Sequence, residues 1–171
     1  MSSASTESGL RQEPIDYIAR TRAQYDALGH ASYRWVESET PSAWAPLRKP
    51  VSESRLALFA SGGVYRAGQV AFHHRDDTSF RAIESDVEMS ELRTSHFAYD
   101  QTAARQDPNV VFPLEPLRRS VASGRLGSLG RHAYTCMGGI YSSRRVREEL
   151  APEIARRIRE DEVDLVLLVP V

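Results

Sequence analysis

This sequence is short of cysteine, net charge and long apolar runs, and each shortage excludes a class of protein. The one cysteine, Cys136, cannot form an internal disulfide, which is typical of a reducing compartment. Lys and Arg number 22 against 23 Asp and Glu, and this balance argues against non-specific nucleic-acid binding. No apolar run approaches the roughly 20 residues that span a bilayer, and no signal-peptide pattern opens the chain. We therefore expect a cytoplasmic protein that binds neither membranes nor nucleic acid.

The composition of the chain divides it into three parts. Residues 1–12 are polar and rich in serine, and we expect them to be disordered. Residues 13–50 contain a helix that begins near Pro14 and then an extended, proline-containing segment in which Trp44 covers core. Residues 51–171 form the third part, an α/β domain long enough to bury a substantial core.

The two ends of the third part predict its fold. Residues 55–60 read RLALFA and predict a strand. Residues 164–171 read DLVLLVPV, an apolar run without alternation that predicts a strand buried on both faces of a parallel sheet. Residues 151–163 predict the helix that leads into it. We therefore expect an α/β fold with a mainly parallel, Rossmann-like sheet flanked by helices, in which the helix after the last strand is missing.

The middle of the chain predicts shorter elements. We expect a long polar loop over 64–79, a strand over 80–84, a turn near Ser90, a short strand over 109–112, a helix from Pro113 to Ser123 that Gly124 ends, and a strand over 127–135. Ser142 or Ser143 should cap a further helix, and Pro152 should kink it or start another.

A glycine turn follows the first strand directly. Ser61, Gly62 and Gly63 let main-chain N–H groups face a ligand, so we assign them to substrate binding. The pattern is neither GxGxxG nor a P-loop, and a simple tight turn explains it as well.

His96 and Asp100 form the most informative polar pair. In a helical turn they would be neighbours four residues apart, and a carboxylate there would orient the imidazole for proton transfer near neutral pH. We assign both to catalysis and the intervening Tyr99 to substrate binding. A purely structural histidine–aspartate hydrogen bond is the alternative.

Other catalytic centres have little support. The five histidines and one cysteine show none of the close spacings of a zinc site, so we predict no metal. There is no GxSxG elbow to support a Ser–His–Asp triad. Cys136 lies in an apolar, glycine-flanked stretch, where thiols are usually inert.

Several segments, taken in order, carry a resemblance to one known family. The segments are 57–64 (ALFASGGV), 77–81 (DTSFR), 95–100 (SHFAYD), 109–114 (NVVFPL), 127–129 (GSL) with 137–138 (MG), 151–155 (APEIA) and 163–170 (VDLVLLVP). Together they resemble the selenoprotein B family of glycine/sarcosine/betaine reductase and D-proline reductase. The resemblance covers about residues 55–171, and the ordered set is more specific than any one segment.

The resemblance implies a subunit of an oxidoreductase that reductively cleaves a carbon–nitrogen bond in a small amino acid or amine. It implies a selenocysteine, or a cysteine in its place, just after the last strand, a pyruvoyl group on a partner subunit and a thioredoxin-like electron donor. Because the sequence ends at Val171, we expect that it was cut at a UGA codon read as a stop. This chain itself then holds no cofactor and is inactive alone.

Two alternatives stay open from the residues themselves. The chain is a non-enzymatic accessory or binding domain, or it is a small α/β enzyme in which His96 and Asp100 carry out hydrolysis or isomerisation. In every case the bare last strand should promote self-association, as a homo-oligomer or as poorly soluble aggregates.

Overall fold

The computed structural model describes residues 15–32, 36–37, 39–43 and 45–171, which divide into compact units over 1–42 and 43–171. The predicted tail, Pro14 and Trp44 lie outside the described residues. In the first unit a helix, α1, spans Tyr17–Ala27. Its N-terminus is capped by the Asp16 carboxylate, which accepts from the N–H of Ala19, and Gly29 beyond its end has φ +72°. This helix therefore has the predicted position and C-terminal signal.

The second unit is built on a mixed, mostly parallel sheet, which confirms the predicted α/β class. Its central strand is β1, Arg55–Ala60, and its other strands are β3 (Phe80–Glu84), β5 (Ser128–Leu129), β6 (His132–Cys136) and β7 (Leu165–Val169). β7 pairs in parallel along β1 from Leu56 to Ala60, so β5 and β6, also parallel, share the opposite edge. β3 runs antiparallel to β6. The order across the sheet is therefore β3, β6 with β5, β1 and β7.

Helices cover both faces of this sheet. On one face α3, Leu114–Ala122, packs its Leu114 and Leu117 against Leu58 of β1 in the larger apolar cluster. On the other face α5, Ala151–Glu160, packs Ile154 with Tyr134 of β6. Because successive strand residues point to opposite faces, β1 and β6 each supply both clusters. The helix over 113–123 and its glycine stop are as predicted, since Gly124 has φ +71°.

The helix after β6 has the predicted cap and an irregular middle. It begins with α4, Ser143–Arg145, where the Ser142 hydroxyl accepts from the N–H of Arg145. A π-helical turn, Val146–Leu150, follows and leads without a break into α5, in whose first turn Pro152 lies. Within the residues that the structure describes, no helix is long and apolar enough to cross a membrane.

Three predictions for the middle of the chain are wrong in detail. The predicted loop over 64–79 begins as a strand, β2 (Val64–Arg66), paired antiparallel with β4 (Leu92–Thr94). The predicted strand over 109–112 is a 3₁₀ turn, Pro108–Val110, because the Asp107 carboxylate accepts from the N–H of Asn109. The single strand predicted over 127–135 is divided between β5 and β6.

The last strand pairs as predicted but is not buried on both faces. Leu167 and Val169 pack against the larger cluster, whereas Leu168 is 66% exposed and Val166 is 39% exposed. α5 lies over β3, β6 and β1, so the face of β7 on that side lines an open groove. The continuous apolar run therefore predicted the strand correctly, but its burial on both faces was predicted wrongly.

Candidate active site

The parallel strands β1, β6 and β7 end side by side, and a site forms at this edge of the sheet. The glycine turn (residues 61–63) bridges the two outer strand ends, because the Ser61 N–H donates to the carbonyl of Val169 and the Gly63 N–H to that of Cys136. The N–H of Val171 donates to Ser61 Oγ at 2.9 Å. The carboxyl end of β7 is thus held against the glycine turn.

Gly63 determines which segment meets this edge. It has φ +67°, and a Cβ on it would lie 2.2 Å from the carbonyl oxygen of Ser95. The Ser95 N–H donates to the Gly63 carbonyl at 2.9 Å, so the backbones of the two residues lie together. Only glycine permits this approach, and it brings His96 to the edge of the sheet.

His96 is 8% exposed and is held by main-chain groups. The Ala98 N–H donates to Nδ1 at 3.0 Å, and the Gly138 N–H donates to Nε2 at 3.2 Å. Burial lowers the pKa of His96, while the Ser61 main chain opposes that shift. Each ring nitrogen therefore faces a main-chain N–H donor, which disfavours the doubly protonated ring, in the same direction as the lowered pKa.

Two aromatic rings complete this surface. The Tyr99 ring lies 4.7 Å from the His96 ring, and its hydroxyl donates to the Gly62 carbonyl at 2.8 Å. Burial raises the pKa of Tyr99, so its hydroxyl stays protonated. Phe97 stacks on His96 at 5.8 Å with an interplanar angle of 16° and is 45% exposed.

Five of the six predicted site residues come together, and one does not. Ser61, Gly62, Gly63, His96 and Tyr99 form the surface just described. Asp100 is exposed, and its carboxylate accepts from the N–H and hydroxyl of Thr102 at 2.9 and 2.7 Å, which lowers its pKa. It lies just before α2, Thr102–Gln106, and the predicted helical pairing with His96 does not form. The Asp-x-Thr spacing is itself a turn signal that indicates this local role.

The histidine–carboxylate contact that does form lies at the opposite end of the sheet. His132 Nδ1 is 3.5 Å from Asp161, whose carboxylate also accepts from the Tyr134 hydroxyl at 3.2 Å. Both residues stand where β6 and β7 begin, so the contact joins helix to sheet away from the site. Burial, and after it the negative charge of Asp161, raises the pKa of Tyr134 to about 12.

The remaining candidates add no reactive group. Cys136 is 4% exposed, and burial raises the pKa of its thiol to about 12, so it is not a nucleophile at neutral pH. In the part of the chain that the structure describes, no group of three or more His, Cys, Asp or Glu side chains is placed to hold a metal ion.

An apolar groove opens beside the site. It has a volume of about 600 Å³ and lies between α5 and the exposed face of β7. Ser61 and Gly138 belong to both its wall and the His96 surface. Sequence reasoning missed the groove, Phe97 and Gly138, because all three depend on which strands end together. The apolar walls of the groove are formed by Phe59, Ile140, Val146, Leu150, Ile154, Ile158, Val166 and Leu168.

These features define an α/β protein with a site where parallel strands end. Residues 37–171 match the family described as glycine/sarcosine/betaine reductase selenoprotein B, and the chain belongs to that family. The predicted resemblance is thereby confirmed. The chain has no significant match among solved structures.

Three relatives show what kind of protein it is similar to. The chain is 33% identical over 140 residues to D-proline reductase subunit gamma of Acetoanaerobium sticklandii. These 140 residues cover 82% of this chain and 58% of that protein. It is 28% identical over 134 residues to betaine reductase complex component B subunit beta of Peptoclostridium acidaminophilum, covering 72% of this chain and 29% of that protein. It is 29% identical over 128 residues to glycine reductase complex component B subunit gamma of Symbiobacterium thermophilum, covering 72% and 30%.

The match is thus to part of each relative, since the shared region is 58% of the first and 29% and 30% of the other two. All three are named as subunits of amino-acid or amine reductases, which assemble from several subunits. None of the three names assigns a role to an individual residue of the matched region.

Proposed function

We propose that this chain is a subunit of a reductase complex that cleaves a carbon–nitrogen bond in a small amino acid or amine of the glycine, sarcosine, betaine or D-proline class. Family membership and the three relatives support the reaction class. The observation that carries the proposal is the meeting of β7, Ser61 and His96 at one edge of the sheet. That edge is where ligands bind in open parallel sheets.

The reactive group belongs, in this proposal, directly after Val171, where the family resemblance implies a selenocysteine or cysteine. Such a group would supply the nucleophile and pass on the two electrons of the reduction. The surroundings fit it. Ser61 Oγ fixes the main chain at Val171, and a Cβ on Gly138 would lie only 3.1 Å from the Val171 carbonyl oxygen, so glycine keeps this approach open.

His96 supplies the proton in this scheme. Cleavage of a carbon–nitrogen bond adds two electrons to the carbon side and requires a proton on the departing amine. The Ala98 and Gly138 N–H groups hold the two ring nitrogens and fix the ring, and the imidazolium form of His96 carries the proton. A positioned imidazole of this kind transfers protons efficiently near neutral pH.

The rest of the machinery lies on partners. We propose a partner subunit that carries a pyruvoyl group and a thioredoxin-like dithiol protein that supplies the electrons. Membership of multi-subunit complexes supports partners in general. The apolar groove beside the site is consistent with a surface that is covered during assembly.

The test is reconstitution. The gene, its downstream coding region and the adjacent reductase subunit genes are expressed with selenium, and ring opening of D-proline and amine release from glycine, sarcosine and betaine are measured with a dithiol reductant. We expect one substrate to be reduced, and the same complex made without selenium to be much less active. If the purified, assembled complex reduces none of the four, the proposed reaction is wrong. An ordinary stop codon after Val171 in genomic DNA would remove the selenocysteine from it.

A further inference from the structure

The corner between β6 and α4 (residues 137–142) carries main-chain groups that meet the His96 ring. The Gly138 N–H donates to Nε2 at 3.2 Å. The next residue, Gly139, lies so close to Phe97 that a Cβ on it would be 2.2 Å from the ring carbons Cε1 and Cζ. Two consecutive glycines give the corner little stiffness of its own. A group that fixes the corner from outside therefore also fixes the surroundings of His96.

Asp76 holds this corner from a distant part of the chain. Its carboxylate oxygen Oδ1 accepts from the N–H of Tyr141 at 2.6 Å and from the N–H of Ser142 at 3.2 Å. Its main-chain carbonyl accepts from Nη1 of Arg145, in α4, at 2.7 Å. One residue of the loop before β3 thus joins the end of the corner to the helix that follows it.

The neighbouring aspartate has a different role. The Asp77 carboxylate accepts from the N–H groups of His73 and Ser79 at 2.8 Å each, so it closes the loop on itself. Asp76 has φ +45°, a conformation that aspartate adopts more readily than most residues because its short side chain bonds locally. Asp77 therefore shapes the loop, and Asp76 connects the loop to the corner.

A short series of hydrogen bonds links Asp76 to the histidine. The Tyr141 N–H donates to Asp76, the Ile140 N–H donates to the Gly138 carbonyl at 2.9 Å, and the Gly138 N–H donates to His96. Each bond closes within one to three residues of the next along the corner. A displacement of the corner at Tyr141 is therefore transmitted to the imidazole through Gly138.

We propose that Asp76 is a positioning residue that acts through the corner: it keeps the Gly138 N–H on Nε2 of His96 and so controls the orientation and protonation of the imidazole. The proposal rests on the proposed function only for the role of His96 as proton donor. It assigns a part in that role to a side chain that does not itself touch the ring.

The other groups around the ring leave this contact decisive. Among the described residues, the titratable side chain in contact with the ring is Tyr99, whose hydroxyl stays protonated. The remaining neighbours are uncharged, and they are the Phe97 ring and the main chain of Ser61, Ala98 and Gly138.

Two substitutions at Asp76 separate the acceptor oxygen from the charge. D76N keeps an oxygen for the two corner N–H groups and tolerates positive φ, whereas D76G suits the backbone but removes the oxygen. Withdrawal of the Gly138 N–H from Nε2 in D76G should raise the pKa of His96 toward the ordinary value of about 6.5. Loss of the negative charge acts in the opposite direction, so a rise identifies loss of the acceptor.

NMR on the 171-residue chain measures both the titration of His96 and the exchange of main-chain amides. In D76G the amides of Gly138, Tyr141 and Ser142 should exchange about five- to ten-fold faster, while those of β6 stay protected. D77N is the matched control and should leave the His96 titration unchanged. An unchanged pKa of His96 in D76G, an equal rise in D76N, or the same rise in D77N would each overturn the proposal.

Turnover in the assembled reductase keeps this proposal distinct from the reductase function. The alkaline limb of the kcat profile, where His96 loses its proton, should move to higher pH in D76G and stay in place in D76N. An alkaline limb that is the same in D76G and the wild type contradicts the positioning role. A wild-type complex without activity contradicts the reductase function alone, since the titration of the chain decides the role of Asp76 without turnover.

Discussion

The main-chain N–H of Val171 donates to the hydroxyl of Ser61 at 2.9 Å, across the ends of two neighbouring parallel strands. The Ser61 N–H donates back to β7 at Val169 at 3.0 Å, so two hydrogen bonds join the glycine turn to the end of β7. His96 lies against the same turn. Five predictions follow from how this edge and its supporting strands are built.

Replacing His96 by glutamine should separate catalysis from folding. In the complete reductase complex, H96Q should lower kcat by about 10²- to 10⁴-fold, because an amide cannot take up and release a proton as an imidazole does. D100N is the matched control and should retain activity, since Asp100 bonds Thr102 and not the imidazole. Steady-state turnover with thermal unfolding as the companion measurement checks both. An unchanged kcat in H96Q rules out the proton-transfer role.

The same histidine should make stability depend on pH. Burial lowers the pKa of His96 in the folded state below the ordinary value of about 6.5, so the unfolded chain binds the proton more readily. This contribution is fully present above about pH 6.5 and is lost as the pH falls through the folded-state pKa. Urea unfolding from pH 7.5 to 5 should therefore show a steeper loss in the wild-type chain than in H96Q. Parallel curves for the two proteins would contradict it.

Gly63 should tolerate no side chain. G63A combines a positive φ with a methyl group 2.2 Å from the Ser95 carbonyl oxygen, and it should lower the free energy of unfolding by at least about 2 kcal/mol. Gly124 has a similar φ of +71° but no atom within 4 Å of its Cβ position. G124A should therefore cost only about 1 kcal/mol. Equal losses in urea denaturation would show that the contact with Ser95 is not what restricts Gly63.

Two adjacent leucines of β7 should behave in opposite ways. Leu167 packs against the larger cluster, and L167A should cost about 2 kcal/mol of stability. Leu168 is 66% exposed, and L168K should change stability by less than about 0.5 kcal/mol while reducing self-association of the chain. Denaturation and light scattering measure the two effects. A wild-type chain that is monomeric at high concentration would show that the exposed β7 face does not drive association.

Cys136 should not react in the folded protein. Its pKa of about 12 and its burial leave the thiolate on the order of a thousand-fold less populated at pH 8 than in a free cysteine. Labelling with iodoacetamide should therefore proceed only after denaturation, and C136S should leave reductase turnover unchanged. Rapid labelling of the native chain would contradict this account of the thiol.

The errors in the middle of the chain have local physical causes. Residues 109–112 read NVVF, which favours a strand, but the Asp107 carboxylate takes the N–H of Asn109 and closes a turn instead. The Asp100 carboxylate likewise accepts from Thr102, two residues further on, and forms no pair with His96. In both cases a short-range side-chain hydrogen bond outweighed a pattern that was read over a longer stretch.

By itself the sequence determined the elements whose cause is local: strand β1, strand β7, the capped helices, and the glycine turn. Contiguous apolar residues, a serine cap or a glycine with positive φ act within a few positions, so their effect can be read in order along the chain. Only the tertiary structure decided that His96 lies against the glycine turn without Asp100, and that one face of β7 lines a groove. Those outcomes depend on which strands lie side by side and on where a helix stops covering the sheet, and no stretch of sequence encodes either one locally.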